Sequence, residues 1–148
     1  MNLDKINKIV QRAIRALNDP TAKATKQQFE DLEIIPVKIV NKIKSEFGID
    51  LSGYVRVIGI DEVIHALKQH GIDSKDRYPI DNSDFLLIPF IVNEPDKIKK
   101  GGLSRRNNSQ TLIYEKNIGD KYYYVEEIRK GRKKVALLTF YKRKNPLK

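Results

Sequence analysis

The 148-residue sequence contains no cysteine and no tryptophan, one methionine and two histidines. Without cysteine there can be no thiolate nucleophile, no disulfide, no cysteine-bearing zinc site and no iron–sulfur cluster. A chain of this length buries on the order of 70% of its unfolded surface, so its core needs no such staple. The lack of thiols also fits a cytoplasmic working compartment. Long apolar runs are missing too. None approaches the roughly 20 residues that cross a bilayer, and Met1–Arg15 alternates charges with aliphatics, so neither a membrane span nor a signal peptide is expected. Acidic residues are absent from Arg129 onward, where nine Lys/Arg follow without a single Asp or Glu.

That asymmetry accounts for most of the net charge of +10. Residues 49–96 hold four basic and nine acidic groups, whereas residues 97–128 hold seven basic and four acidic. Two basic clusters stand out: Lys97, Lys99, Lys100, Arg105 and Arg106 around Gly101-Gly102, and Arg129, Arg132, Lys133 and Lys134 around Gly131. Clusters of this kind suit a polyanion such as RNA, because every phosphate neutralised releases condensed counterions. The plainer alternative is a solvated Lys/Arg surface with a basic tail over Lys142–Lys148.

Hydrophobic spacing supplies the fold class. Leu3, Ile6, Ile9, Val10, Ile14 and Leu17 lie on one helical stripe that should stop before Asn18-Asp19-Pro20. A weakly patterned helix is expected over Ala22–Leu32, and another over Val37–Phe47, ended by Gly48. Residues 1–48 thus read as a helical arm or subdomain, with residues 49–148 as the main domain. Tyr54–Ile58 predicts a strand; a helix follows, with Asp61 as its cap and Gly71 as its close. Asn82 or Ser83 would cap one further helix running through Phe85, Ile88 and Val92, although a buried strand would show the same run. Lys97–Lys100, Thr111–Lys116, Lys121–Ile128 and Lys133–Tyr141 then read as four strands with short connections, an antiparallel meander. Helices first and a meander of about four strands second is an α+β arrangement.

Chemistry-bearing residues are few. His65 and His70 fall on one helix, and five residues at about 100° each leave them roughly 140° apart, so they do not share a face as a zinc pair would. No cofactor is expected. Histidine remains the side chain best suited to move protons near neutral pH. Side chains alternate along a strand, so Leu112, Tyr114 and Lys116 should share one face, as should Val135, Leu137, Thr139 and Tyr141. If Lys116 meets Thr139 and Tyr141, a cation, a hydroxyl and a phenol converge in a way that suits a phosphodiester. Acids at the expected helix starts, Asp61, Glu62, Asp81 and Asp84, could alternatively hold a metal, although such residues more often cap helices.

The order VIHALKQHGID (Val63–Asp73), DFLLIPFIVNEPDKI (Asp84–Ile98) and LIYEKNIGDKYYYVEEIRKGRKKVALLTFYKRK (Leu112–Lys144) resembles the phage-associated nuclease domains of the barnase–EndoU–colicin–RelE superfamily. The resemblance implies helices packed on a four-stranded antiparallel sheet and a toxin-like, metal-independent endoribonuclease that leaves a 2′,3′-cyclic phosphate. It also implies an EndoU-like site in which His65, His70, Lys116, Thr139 and Tyr141 are the matching residues. Its partners would be RNA and, where host RNA is cut, an acidic immunity protein or antitoxin. A non-catalytic nucleic-acid-binding module on the same scaffold is the competing expectation.

Overall fold

The computed structural model describes residues 1–19 and 28–146. Its first helix, α1 (Leu3–Asn18), is started by Asn2, whose side-chain oxygen accepts from the Asp4 and Lys5 amides. Ile6, Ile9, Val10 and Ala13 form its buried stripe. The helix expected over Ala22–Leu32 lies largely outside the described residues, and its last part is instead a strand, β1 (Phe29–Ile34). Helix α2 (Val37–Phe47) follows Pro36 and ends at Gly48, whose φ of +68° favours glycine. Strand β2 (Val55–Gly59) leads straight into α3 (Ile60–His70). Gly59, not Asp61, occupies the cap position of α3, and Asp61 and Glu62 stand in its first turn, where carboxylates favour the positive helix end.

The single apolar helix expected near Phe85 is two short ones, α4 (Asn82–Phe85) and α5 (Ile88–Asn93). Asp81 caps α4 and closes a reciprocal box with Asp84, one residue earlier than expected. Pro89 sits in the first turn of α5, where a missing N–H costs nothing. The meander follows as β3 (Lys97–Leu103), β4 (Gln110–Ile118), β5 (Asp120–Arg129) and β6 (Lys134–Arg143).

Those four strands pair antiparallel in sequence order, but the sheet has six strands, ordered β1-β2-β6-β5-β4-β3. Strand β2 joins β6 in parallel, Val55–Val57 lying beside Lys134–Ala136, and β1 adds an antiparallel edge. The molecule is α+β, as the periodicity indicated. Leu112, Tyr114, Tyr122, Tyr124, Leu137 and Phe140 form one sheet face and merge with the helices in one hydrophobic cluster. The described part of residues 1–48 contributes to that same cluster through Ile6, Ile9, Leu32, Ile39 and Ile43. Beneath it Arg56, fully buried, is held by Glu126 at 2.7 Å, with Glu33, Asn93 and Tyr114 around it. Removing one partner from such a network strands a buried charge.

The other face departs from simple alternation. Val125 pairs with Thr139 but Glu126 pairs with Leu137, so Leu138 is an extra residue, a β-bulge. Val135, Leu137 and Phe140 therefore face the core, while Thr139 and Tyr141 turn to the opposite face with Tyr123. The expected common face for Val135, Leu137, Thr139 and Tyr141 breaks at that bulge. No helix among the described residues is long and apolar enough to cross a membrane.

Candidate active site and nucleic-acid interface

Helix α3 packs along β6, which brings the helix end to the strand end. Gly71 closes the helix, its N–H donating to the Leu67 carbonyl at 2.8 Å, so tightly that a Cβ there would strike that carbonyl. His70 lies 5.1 Å from Tyr141, ring centre to ring centre, and its Nδ1 is 2.7 Å from Asp76 Oδ2. Arg143 lies 4.9 Å from the centre of the Tyr141 ring and donates to both Asp76 oxygens, at 3.2 and 3.0 Å. Tyr123, opposite Tyr141 in the sheet, stacks on it at 4.9 Å and 13°.

At Asp76 contacts outweigh burial, whereas at Tyr141 burial prevails. Burial works to raise the Asp76 carboxyl, but the Tyr78 amide, His70 and Arg143 together hold it below the ordinary range. Asp76 is therefore a carboxylate at neutral pH. Burial and the neighbouring Tyr123 push the Tyr141 phenol up, so it remains protonated and able to donate. On the far side of Tyr123 the buried Glu115 sits between Lys99 and Lys121, each 2.9 Å away. Lys121 also lies 5.4 Å from the Tyr123 ring centre. A histidine fixed by a carboxylate, a phenol and several cations thus share one sheet face. Such a set can exchange a proton with a hydroxyl and steady an anionic phosphate.

The sequence-predicted residues divide accordingly. His70 and Tyr141 come together, and Thr139 stands two residues from Tyr141 on the same face, its Oγ1 buried without a hydrogen-bond partner among the described residues. His65 is exposed on the flank of α3 and takes no part in the cluster. Lys116 does not converge with Thr139 and Tyr141. It pairs with Tyr122 on the core-side face, and its Nζ donates to the Glu94 carbonyl at 2.5 Å and lies 3.8 Å from Asp96. Among the expected RNA-binding groups, Lys100, Arg105, Arg132 and Lys133 are exposed, while Lys99 is held by Glu115, Arg106 by Glu62 and Lys134 by Asp31. Arg129 lies 5.4 Å over the Phe29 ring and 3.4 Å from Glu127. The basic tail reading fails for Lys142 and Arg143, which belong to β6 and pair with Asp84 and Asp76. Asp81 and Asp84 are engaged in their cap, and among the described residues no group of three His, Asp or Glu could hold a metal ion.

A family model described as phage-Barnase-EndoU-ColicinE5/D-RelE like nuclease3 matches residues 33–148. The chain belongs to that nuclease family. No curated protein and no solved structure matches the nuclease. Its family match begins within β1 and takes in every later strand, so the whole sheet face that carries His70, Tyr123, Tyr141 and Arg143 lies inside the matched region or packs on it. Asp76 and Arg143 of the nuclease escape sequence reasoning. Asp76 sits in a loop six residues past His70, at no spacing that periodicity flags, and Arg143 reads in the sequence as part of a basic tail.

Proposed function

We propose that the nuclease is a metal-independent endoribonuclease of the toxin-like kind, with His70 as its proton-transfer group. The observation that carries this reading is the Asp76–His70 contact of 2.7 Å on a sheet face that also presents Tyr141 and Arg143. With Nδ1–H donated to Asp76, the Nε2 lone pair of His70 is left to take a proton. The ribose 2′-OH gives its proton to Nε2, O2′ bonds to phosphorus, and the P–O5′ bond breaks. The proton passes from the imidazolium to the departing O5′, directly or through water, leaving a 2′,3′-cyclic phosphate and a 5′-OH end. Arg143 and Lys121 stabilise the phosphorane, a role the sequence alone suggests for Lys116, and Tyr141 donates to a non-bridging oxygen. Thr139 stands beside this path, and the exposed Lys100, Arg105, Arg132 and Lys133 hold flanking phosphates. RNA as substrate fits a cytoplasmic setting, and a strongly basic enzyme acting there would be restrained by an acidic immunity protein or antitoxin.

Total RNA incubated with the protein in EDTA tests the proposal. Cleavage that yields 2′,3′-cyclic phosphate ends and is lost in His70→Ala, with the fold intact by circular dichroism, is the expected result. RNA binding without cleavage would make the chain a binding module.

A further inference from the structure

The two edges of the six-stranded sheet are finished differently. At the β1 edge α1 packs against the strand, and Lys5 Nζ donates to the Asp31 carbonyl at 3.0 Å. At the opposite edge β3 is the last strand, and among the described residues no backbone hydrogen bond reaches Lys97–Leu103 from outside the sheet. Side-chain bonds to its backbone come from β4 itself, Gln110 Nε2 to the Gly101 carbonyl at 2.6 Å and Thr111 Oγ1 to the Gly102 carbonyl at 2.7 Å. Between Lys97 and Lys100 the register with β4 is regular, so every second residue there aims its N–H and C=O into solvent. An open edge of this kind is a template for one more strand. Its lysines decide which strand. Lys97 and Lys99 share one face of β3 and Lys100 lies on the other, with no acid in the strand. Lys97 and Lys100 are exposed, and Lys99, 2.9 Å from Glu115, keeps about half its side chain in solvent.

We propose that the β3 edge docks an acidic protein, which adds an extended segment to the sheet with carboxylates at alternate positions facing Lys97 and Lys99. The inference gives a surface to the acidic partner of the proposed function, and the docking itself does not require that RNA be cleaved. A second copy of this chain does not fit the edge. Setting β3 against another β3 puts lysine opposite lysine, which is unfavourable, and the acidic strand β1 is covered by α1. RNA fits it less well than a peptide does. Phosphates only accept, and so answer the N–H groups of the edge but not its carbonyls, whereas a peptide strand answers both. Gly102 leaves open space where a Cβ would stand, and Leu103, 59% exposed, offers an apolar contact at the end of the strand. The added strand would lie three strand spacings from β5, roughly 14 Å from the backbone that carries Tyr123. It therefore anchors the partner beside the His70 face without filling it.

Amide hydrogen exchange of the full chain, followed in ¹H–¹⁵N spectra, tests the edge with a blocked peptide of alternating glutamate and valine matched in length to β3. The peptide should slow exchange of the solvent-facing amides within Lys97–Lys100. Its fully N-methylated counterpart keeps every charge but has no donor, and should bind at least about tenfold more weakly, since each main-chain bond is worth a factor of about five. A peptide with lysine in place of glutamate should not bind. Exchanging both exposed lysines, Lys97→Glu with Lys100→Glu, should reverse the preference between the glutamate and lysine peptides. If that variant misfolds, the N-methylated and lysine peptides still decide the matter on the unaltered protein. Equal affinity for the N-methylated peptide, or protection that falls outside β3, overturns the proposal. So does a single-stranded RNA oligonucleotide that protects the β3 amides when the glutamate peptide does not. Peptide docking by a protein that leaves RNA intact would sustain the edge and remove the nuclease mechanism, and cleavage without docking would do the reverse.

Discussion

Replacing Asp76 with asparagine keeps the size of the side chain and changes what one of its two heads offers. Asp76 Oδ1 accepts from the Tyr78 amide at 2.9 Å and from Arg143 at 3.2 Å, while Oδ2 accepts from His70 Nδ1 at 2.7 Å and from Arg143 at 3.0 Å. An amide oxygen placed at Oδ1 keeps the first two bonds, whereas an amide nitrogen placed there would face two donors. The NH₂ of the introduced amide is therefore driven toward His70, whose Nδ1 must then accept. That moves the imidazole proton to Nε2, the atom required as base. General acid–base catalysis contributes roughly 10²–10⁴-fold, and Asp76→Asn should lose most of it in kcat while KM for RNA changes little. One charge-assisted bond from Arg143 also weakens, at a cost of about 1–3 kcal/mol to stability, which thermal unfolding will register. Long-range ¹H–¹⁵N correlation spectra of the imidazole report the tautomer independently of turnover. Wild-type turnover in folded Asp76→Asn, or an unchanged tautomer, would refute the role given to this pair.

Three further outcomes follow from the same geometry. Lys116→Ala should leave turnover within about threefold of wild type, since its ammonium lies on the core-side face against Glu94 and Asp96; a drop of roughly 10²-fold or more, in the range of a catalytic group, would reinstate it in the site. Combining Arg132→Ala with Lys133→Asn, where asparagine tolerates the φ of +51°, should lower the slope of RNA affinity against salt by about 0.7 for each phosphate no longer neutralised, as read by fluorescence polarisation across a salt series. Burial works to raise Glu115, but Lys99 and Lys121 hold its folded pKa below the ordinary value, so its stabilisation is complete above about pH 5 and disappears as pH falls through the folded value. The gap in melting temperature between wild type and Glu115→Gln should therefore close in acid.

The helices α1, α2 and α3 and the four meander strands are legible in the sequence because each carries a full apolar stripe or several alternations. Strand β1 is not. It buries Leu32 among Glu30, Asp31 and Glu33, and it is fixed by partners far along the chain: β2 beside it, and Arg56, which takes Glu33. The candidate site is half legible for a related reason. His70 and Tyr141 are of a residue type that chemistry selects, but deciding which side chains share a face needs a register, and one extra residue at Leu138 inverts every assignment beyond it. Counting in twos across that bulge puts Lys116 with Thr139 and Tyr141, on a face it does not share. The Arg56–Glu126 pairing, 70 residues apart, has no local signature at all.

The parallel pairing of β2 with β6 has a temporal consequence. Every other described strand and helix leaves the ribosome before β6, yet β6 supplies the flank on which α3 packs, the ring that faces His70 and the guanidinium that shares Asp76. Contacts this distant in sequence form late, after the loop between them has been closed. A nascent chain lacking β6 has a histidine but no candidate site around it, so if the nuclease cuts RNA as proposed, an unfinished copy is harmless to the messenger from which it is being made.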